Sequence, residues 1–451
     1  MHNAGSGITS RDYTLNELYK LDRNGQPCRI YDNRVAEKVK GYISMFVLEG
    51  KAYIYDSGVY RLDEGEKRLR NIISTFVPDI LVTYRSINSV VQLILSDEYL
   101  DVSLEDVNAY PPYVVNFKNG MLNIKTGELF PHDKEYRSIN QIPHDYVPDA
   151  DIKTSIFWEF LQSRVPDPED RQMLLEYMGY CLCHTVIFQK FMILVGRGNA
   201  GKSQILDEVK RIVGNDNVSG IPLQRVGERF ATAKLLGKQV NVCGDLSTDA
   251  VKDTSIIKQL TGEDLVQGEY KGGSIFFFKN TAKFLFSCNE LPTILDERSN
   301  GFYRRLLIIR FNSEGEYIDD LHRKIRDEKD VEKVISGIIL GAKTALLRGE
   351  ISESGQSKME ILTLNAESDS VASFLNECCE TGDPKTKERR SDLYAAYEKY
   401  CMEEGRKSLG KSSFFKSLGT KQFKATKMNG IFYVKGITMK FMETDEDIPF
   451  K

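Results

Sequence analysis

The stretch Phe191-Met192-Ile193-Leu194-Val195-Gly196-Arg197-Gly198-Asn199-Ala200-Gly201-Lys202-Ser203 governs how the rest of the chain is read. Its apolar run, Phe191 to Val195, predicts a strand buried on both faces. Gly196-x-x-x-x-Gly201-Lys202-Ser203 then has P-loop spacing, and Gln204 to Val213 places Ile205, Leu206, Val209 and Ile212 on one side of a helix. Strand, glycine-rich turn and helix in that order suit an oligophosphate. The glycines let the backbone close round the anion without a Cβ in the way, and the turn N–H groups and the positive helix end face it. Gly196, Arg197, Gly198, Asn199, Ala200, Gly201, Lys202 and Ser203 are therefore the candidate nucleotide loop. Lys202 is expected to reach the β- and γ-phosphates of ATP, and Ser203 to ligate Mg²⁺. The competing account, a chance glycine-rich turn, leaves the matching flanks unexplained.

The chain has 451 residues, room for roughly two to four domains. It contains no apolar run of membrane-spanning length and no leader pattern at its start, so no membrane partner and a location in the host cell cytoplasm are expected. The eight Cys are scattered through apolar segments, as in a reducing compartment. Cys181-Leu182-Cys183-His184 lacks a second ligand pair at a sensible distance and reads as buried thiols; Cys378-Cys379 is similar. A net charge of −4 argues against wholesale coating of DNA, but the charge is uneven. Residues 385–440 carry fourteen Lys/Arg against five Asp/Glu, and an acidic tail (Glu443, Asp445, Glu446, Asp447) follows.

Downstream of the loop, Val240 to Cys243 predicts a second central strand, followed by Asp245. A carboxylate at that strand end lies where Mg²⁺ needs charge, so Asp245 is a candidate for both metal binding and catalysis. A helix-capping Asp is the plain alternative, and Asp249 is a further candidate base. Gly268 to Phe278 predicts a hairpin with Lys271-Gly272-Gly273 at its tip, where Lys271 would meet a phosphate backbone unless it is merely a solvated turn lysine. Lys283 to Cys288 is a third apolar strand ending at Asn289, placed to sense the γ-phosphate and orient water. Arg304-Arg305 precede a fourth, Leu306 to Ile309. A paired guanidinium there suits charge on a transferring phosphoryl group, with a plain salt bridge as the alternative.

Towards the amino end, Met1 to Pro27 reads as a flexible arm or the edge of the first domain. A small meander follows over Ile43–Leu62, then helices near Arg68–Phe76 and Ile87–Leu95, then strands around Tyr113–Leu122 and Leu129. Asn116-Phe117-Lys118-Asn119-Gly120-Met121-Leu122-Asn123-Ile124, Thr126-Gly127-Glu128-Leu129, Pro131-His132-Asp133 and Tyr146-Val147-Pro148-Asp149-Ala150 resemble the segment before the motor in phage, plasmid and poxvirus primase–helicases of helicase superfamily 3. Tyr53 and Tyr60 stand where that family often has Trp, and His132 has no evident metal partner.

From Asn116 to Phe311 the order of loop, strand acid, basic hairpin, Asn and Arg-Arg is similar to the superfamily 3 core. The resemblance implies an AAA+-like parallel-sheet motor and an oligomeric ring, most often a hexamer. It further implies ATP and Mg²⁺ held between subunits, and single-stranded or forked DNA gripped by central hairpins. It favours Arg305 over Arg304 as the finger donated to a neighbour. It also implies an α+β collar over residues 1–150 and a motor over 151–348; apolar faces in Phe157–Cys183 predict a helical run there, broken into two pieces by Pro166 and Pro168. Ile318–Leu347 reads as two helices closing the motor as a lid. Residues 349–369 read as a linker and 443–451 as the acidic tail.

Residues 370–442 predict three helices and a hairpin turning at Asn429-Gly430, a winged-helix pattern. Lys407, Lys411, Lys416, Lys424 and Lys427 would face DNA phosphates; a protein-binding adaptor is the alternative. No paired-acid or zinc pattern for primer synthesis precedes the collar, so a helicase working with a separate primase or replisome protein is expected. The alternatives are an ATP-switched initiator or loader recognising an origin and, more weakly, a small-molecule kinase.

Overall fold

The computed structural model describes residues 13–247, 249–251, 253–294, 300–311, 328–367, 369–404 and 408–440. At its centre lies a sheet of five parallel strands. Their order across the sheet is Val218–Ser219, Val240–Cys243, Lys283–Cys288, Phe191–Val195 and Leu306–Arg310. The apolar runs read from the sequence are continuous because both faces are covered. Met192, Leu194, Val242 and Leu285 face helices Ile156–Arg164, Pro168–Tyr180, Lys202–Val213 and Glu328–Arg348. Phe191, Ile193, Phe284 and Phe286 face the other side, under the hairpin Leu265–Glu269/Ile275–Lys279 and helices Ser255–Leu260 and Gly355–Glu367. The outermost strand, Val218–Ser219, has two residues and no apolar run, so nothing in the sequence marks it.

Two expectations about the segments after the sheet are corrected. Residues 312–327, part of the expected lid, lie outside the described residues. The rest is a single helix, Glu328–Arg348, with Val331, Val334 and Ile335 fully buried; it belongs to the core and is not a lid. It approaches helix Pro168–Tyr180 so closely that a Cβ on Gly179 would sit 1.9 Å from the carbonyl oxygen of Ile338, and one on Gly341 would lie 2.9 Å from the Leu175 backbone. Residues 349–369 are not a free linker either. Ser354 accepts a bond from Ser357 N (3.0 Å), starting helix Gly355–Glu367, and Ser357 Oγ accepts from Ile308 N (3.0 Å) on the edge strand. The Ser, Gly and Glu that looked like loop chemistry act as a helix cap and a buried anchor.

The amino-terminal part also differs from expectation. Residues 1–12 lie outside the described residues, but Tyr19–Leu21 pairs with Pro27–Ile30 and Leu18 is fully buried, so residues 13–27 form the edge of the first unit, the second of the two readings, rather than an arm. Helix Asp32–Tyr42, not foreseen among its charges, buries Val35, Ala36 and Val39. The meander Met45–Leu48, Lys51–Asp56 and Val59–Leu62 matches expectation. Phe46 stacks on Tyr53 (5.1 Å) and packs on Tyr60 (4.7 Å). The break between cores falls ahead of Val114 rather than at residue 150. Val115, Phe117, Leu122 and Ile124 join the core beneath the central sheet, whereas Leu18 to Ile94 form a separate one.

The carboxy-terminal unit has its own core around Phe374, Tyr397 and Phe414. Its helices are Ser370–Cys378, Arg390–Glu403 and Lys411–Thr420. Ala425–Met428 and Ile431–Lys435 form the expected hairpin, turning through Asn429 (φ 49°) and Gly430 (φ 80°), and Lys387–Arg389 adds a third strand. Among the described residues no helix is long and apolar enough to cross a membrane.

Candidate functional site

Parallel strands bring their carboxyl ends to one sheet edge, where ligands meet open α/β sheets. Three of the predicted groups converge there. The glycine-rich loop leaves Phe191–Val195, Asn289 follows the neighbouring strand Lys283–Cys288, and Asp245 follows the next, Val240–Cys243. Lys202 is 6% exposed, and its Nζ donates to the carbonyl oxygens of Gly196 and Arg197 (2.9 Å) and to Asn289 Oδ1 (3.2 Å). Burial lowers its pKa from the ordinary lysine value, and the Cys288 thiol and the Asp245 carboxylate pull it back up. Lys202, Asn289 and Asp245 thus form one electrostatic group.

The loop conformation explains its glycines. Gly201 has φ 102°, and a Cβ there would lie 2.8 Å from the Phe160 ring, so only glycine fits. Gly198 faces open space. Asn199 takes φ 63°, and Asp245 takes φ 50°, a left-handed conformation that costs a non-glycine residue about 1 kcal/mol or more. Leu246 N then bonds to Ser287 O (2.9 Å), turning the chain back onto the sheet. Ser203, at the start of helix Lys202–Val213, is exposed. Asp249 accepts from Ser247 Oγ (2.9 Å) and is also exposed. Two buried polar atoms beside the site, Ser287 Oγ and Gln204 Oε1, have no hydrogen-bond partner among the described residues. Neither carried a signal in the sequence.

The arginine pair divides. Arg304 is exposed and donates to Gln189 Oε1 (3.0 Å). Arg305 is 8% exposed and donates to the carbonyl oxygen of Gly301 (2.7 Å); burial and Arg304 lower its pKa. Lys271 lies in the turn of its hairpin beside Gly272 (φ 78°), as expected, and is exposed. Sequence reasoning missed what holds that turn. Tyr270 stacks on Phe276 (5.2 Å), and Lys51 Nζ lies 4.1 Å over the Tyr270 ring. A groove of about 710 Å³ runs between this turn and Glu49–Lys51 and Asp101–Ser103 of the amino-terminal unit.

Other expected groups are placed more simply. Cys181 and Cys183 are fully buried, and burial pushes their thiols up to about 12 and about 11. His132 packs under Gly58, its Nε2 2.8 Å from the Phe117 carbonyl oxygen. Lys411, Lys416, Lys424 and Lys427 are all exposed in the carboxy-terminal unit; Lys407 lies outside the described residues.

Sheet, loop and converging side chains define an α/β protein built around a candidate anion-binding edge. Residues 49–166 match the family described as "D5 N terminal like", residues 366–450 the one described as "Poxvirus D5 protein-like", and residues 194–305 a family of unknown function. The chain is similar to "Putative helicase L207/L206" of Acanthamoeba polyphaga mimivirus, 25% identical over 227 residues, which is 48% of this chain and 23% of that protein. The match therefore takes in less than a quarter of the relative's length. Solved apo structures of the NrS-1 C-terminal region align with 14% identity and TM-scores of 0.49 and 0.48, covering 89% and 88% of this chain and 97% of each of those chains. The chain is thus similar to D5-type proteins over two separate stretches, one towards each end, and to a helicase-like viral protein over about half its length.

Proposed function

We propose that the chain is an ATP-driven DNA motor, an AAA+-like helicase that assembles into a ring and unwinds the DNA of a phage or mobile element. The observation that carries this is the convergence of Lys202, Asn289 and Asp245 at one sheet edge. The residues fit a magnesium–nucleotide. Gly198 faces open space in which phosphates fit, Lys202 supplies a cation, and the Ser287 hydroxyl and Gln204 Oε1, without partners among the described residues, lie beside the edge. The loop N–H groups and Lys202 would hold the triphosphate, and Ser203 and Asp245 would hold Mg²⁺, which supplies charge neutralisation when bound. Asn289 positions Lys202 and a water. A cation given to a neighbouring subunit must face outwards, which favours Arg304 over the inward-packed Arg305. The exposed Lys271 turn and the basic carboxy-terminal unit, read as a winged helix, are the DNA contacts.

The test compares ATP hydrolysis with and without single-stranded DNA, and fork unwinding, for wild type and Lys202→Ala. Loss of both activities, by about 100-fold or more, in a protein that still folds is the expected result. Hydrolysis that survives Lys202→Ala sinks the proposal. A second reading, an ATP-switched initiator or loader without unwinding, is favoured by one observation: Lys51 and Tyr270 tie the hairpin tip to the amino-terminal unit of the same chain. ATP-dependent DNA binding with no strand separation would select it.

A further inference from the structure

The cations of the carboxy-terminal unit differ in what answers their charge. Lys421 pairs with Asp369 (2.6 Å) and Lys399 with Glu403 (3.7 Å), so their charge is answered by carboxylates. Arg390, Lys411 and Lys427 have no carboxylate partner among the described residues and rest on aromatic rings instead. Lys411 Nζ is 5.8 Å from the Tyr394 ring centre and Lys427 Nζ 5.4 Å from that of Phe432. Arg390 is the most constrained. Its guanidinium lies 3.8 Å from the Phe415 ring centre and 5.7 Å from that of Phe432, and its Nε is buried with no hydrogen-bond partner among the described residues. Phe415 belongs to helix Lys411–Thr420 and Phe432 to the hairpin, so Arg390 sits at the seam between the two.

A ring face holds a guanidinium in place through its π-system and takes none of its N–H donors. A carboxylate would consume them. An arginine held this way is fixed in position with its N–H donors uncommitted to a carboxylate. The exposed neighbours Lys416, Lys424 and Lys427 add positive charge, and Phe432 is itself 47% exposed. We propose that Arg390, seated between Phe415 and Phe432, is the anchoring phosphate contact of a nucleic-acid backbone lying along the seam of helix Lys411–Thr420 and the hairpin. This rests on the reading of the carboxy-terminal unit as DNA-binding and names the residue that organises it. The contact is to the backbone, so it is independent of base sequence.

The test measures binding of the full chain to a fluorescent DNA duplex of arbitrary sequence, by anisotropy, across a salt series. Arg390→Gln keeps a planar group between the rings and removes the charge, and its melting temperature checks the fold. Wild-type folding with affinity weakened about tenfold and the slope of log K against log salt reduced by about one is the expected outcome. Arg390→Lys should recover the slope and only part of the affinity, because an ammonium lacks the planar fork. Lys399→Ala, which removes a carboxylate-paired cation, should bind as wild type does. Arg390→Gln within twofold of wild type, or weakened with no change in slope, overturns the proposal while Lys424→Ala still weakens binding. If wild type itself does not bind DNA, the reading beneath the proposal fails with it.

Discussion

Asp245 is held at φ 50° at the tip of its strand, exposed, in a conformation that Asn tolerates better than Asp. A strained residue beside Lys202 and Asn289 points to function rather than stability. Asp245→Asn is therefore expected to leave the unfolding free energy within about 0.5 kcal/mol of wild type while ATP hydrolysis falls by about 100-fold or more; denaturant melts and a phosphate-release assay check the two halves. His184 gives a prediction about acid. Burial, helped by the nearby Lys283 ammonium, drives its pKa down from 6.5 to about 4. The unfolded chain therefore binds a proton that the folded chain refuses, and stability present above pH 6.5 is lost as pH falls from there towards 4. Between pH 7 and pH 5 the loss should be on the order of 2 kcal/mol. His184→Leu should show a correspondingly shallower decline in urea midpoint over that range, and an unchanged decline would contradict the assignment. At this scale the glycine-rich turn was legible because a tight turn from a buried strand into a helix imposes a spacing on its glycines. The split between Arg304 and Arg305 was not, since adjacent residues are told apart only by what each packs against.

At the scale of elements, the central strands and flanking helices were readable from periodicity and from Pro166, Pro168 and Asn429-Gly430. Elements that escaped were short or polar. The strand Val218–Ser219 has only its neighbour to define it, and helix Gly355–Glu367 is stabilised by packing along the edge strand rather than by an apolar stripe of its own. The contact of helices Pro168–Tyr180 and Glu328–Arg348 yields a test. Gly179→Ala would place a methyl 1.9 Å from the Ile338 carbonyl oxygen, which is backbone and cannot swing aside. A destabilisation greater than about 3 kcal/mol is expected in chemical denaturation, and a loss below 1 kcal/mol would mean the helices can part.

At the scale of the whole molecule, the proposed ring makes each nucleotide site depend on two chains. Lys202→Ala lacks the lysine on one side of the seam, and Arg304→Ala lacks the donated cation on the other. Mixing the two inactive variants should restore measurable hydrolysis, roughly a quarter of the wild-type rate if subunits assemble at random and sites act independently. The same mixture with Arg305→Ala in place of Arg304→Ala should not complement, because the buried Arg305 serves its own chain. Complementation by Arg305→Ala alone would reverse the assignment. The contact of Lys51 with Tyr270 adds a link within each chain, tying the amino-terminal unit to the turn that carries Lys271.

The sequence by itself determined the parallel central sheet and the glycine-rich turn that follows Phe191–Val195, because a strand buried on both faces and a tight strand-to-helix turn each demand particular residue types at fixed spacing. It also determined the basic carboxy-terminal module, since charge is additive along a chain. Only the tertiary structure decided where one core ends and the next begins, which arginine faces outwards, and that Arg390 rests on two rings rather than on a carboxylate. Those outcomes depend on residues far apart in sequence meeting in space, and no local pattern records them.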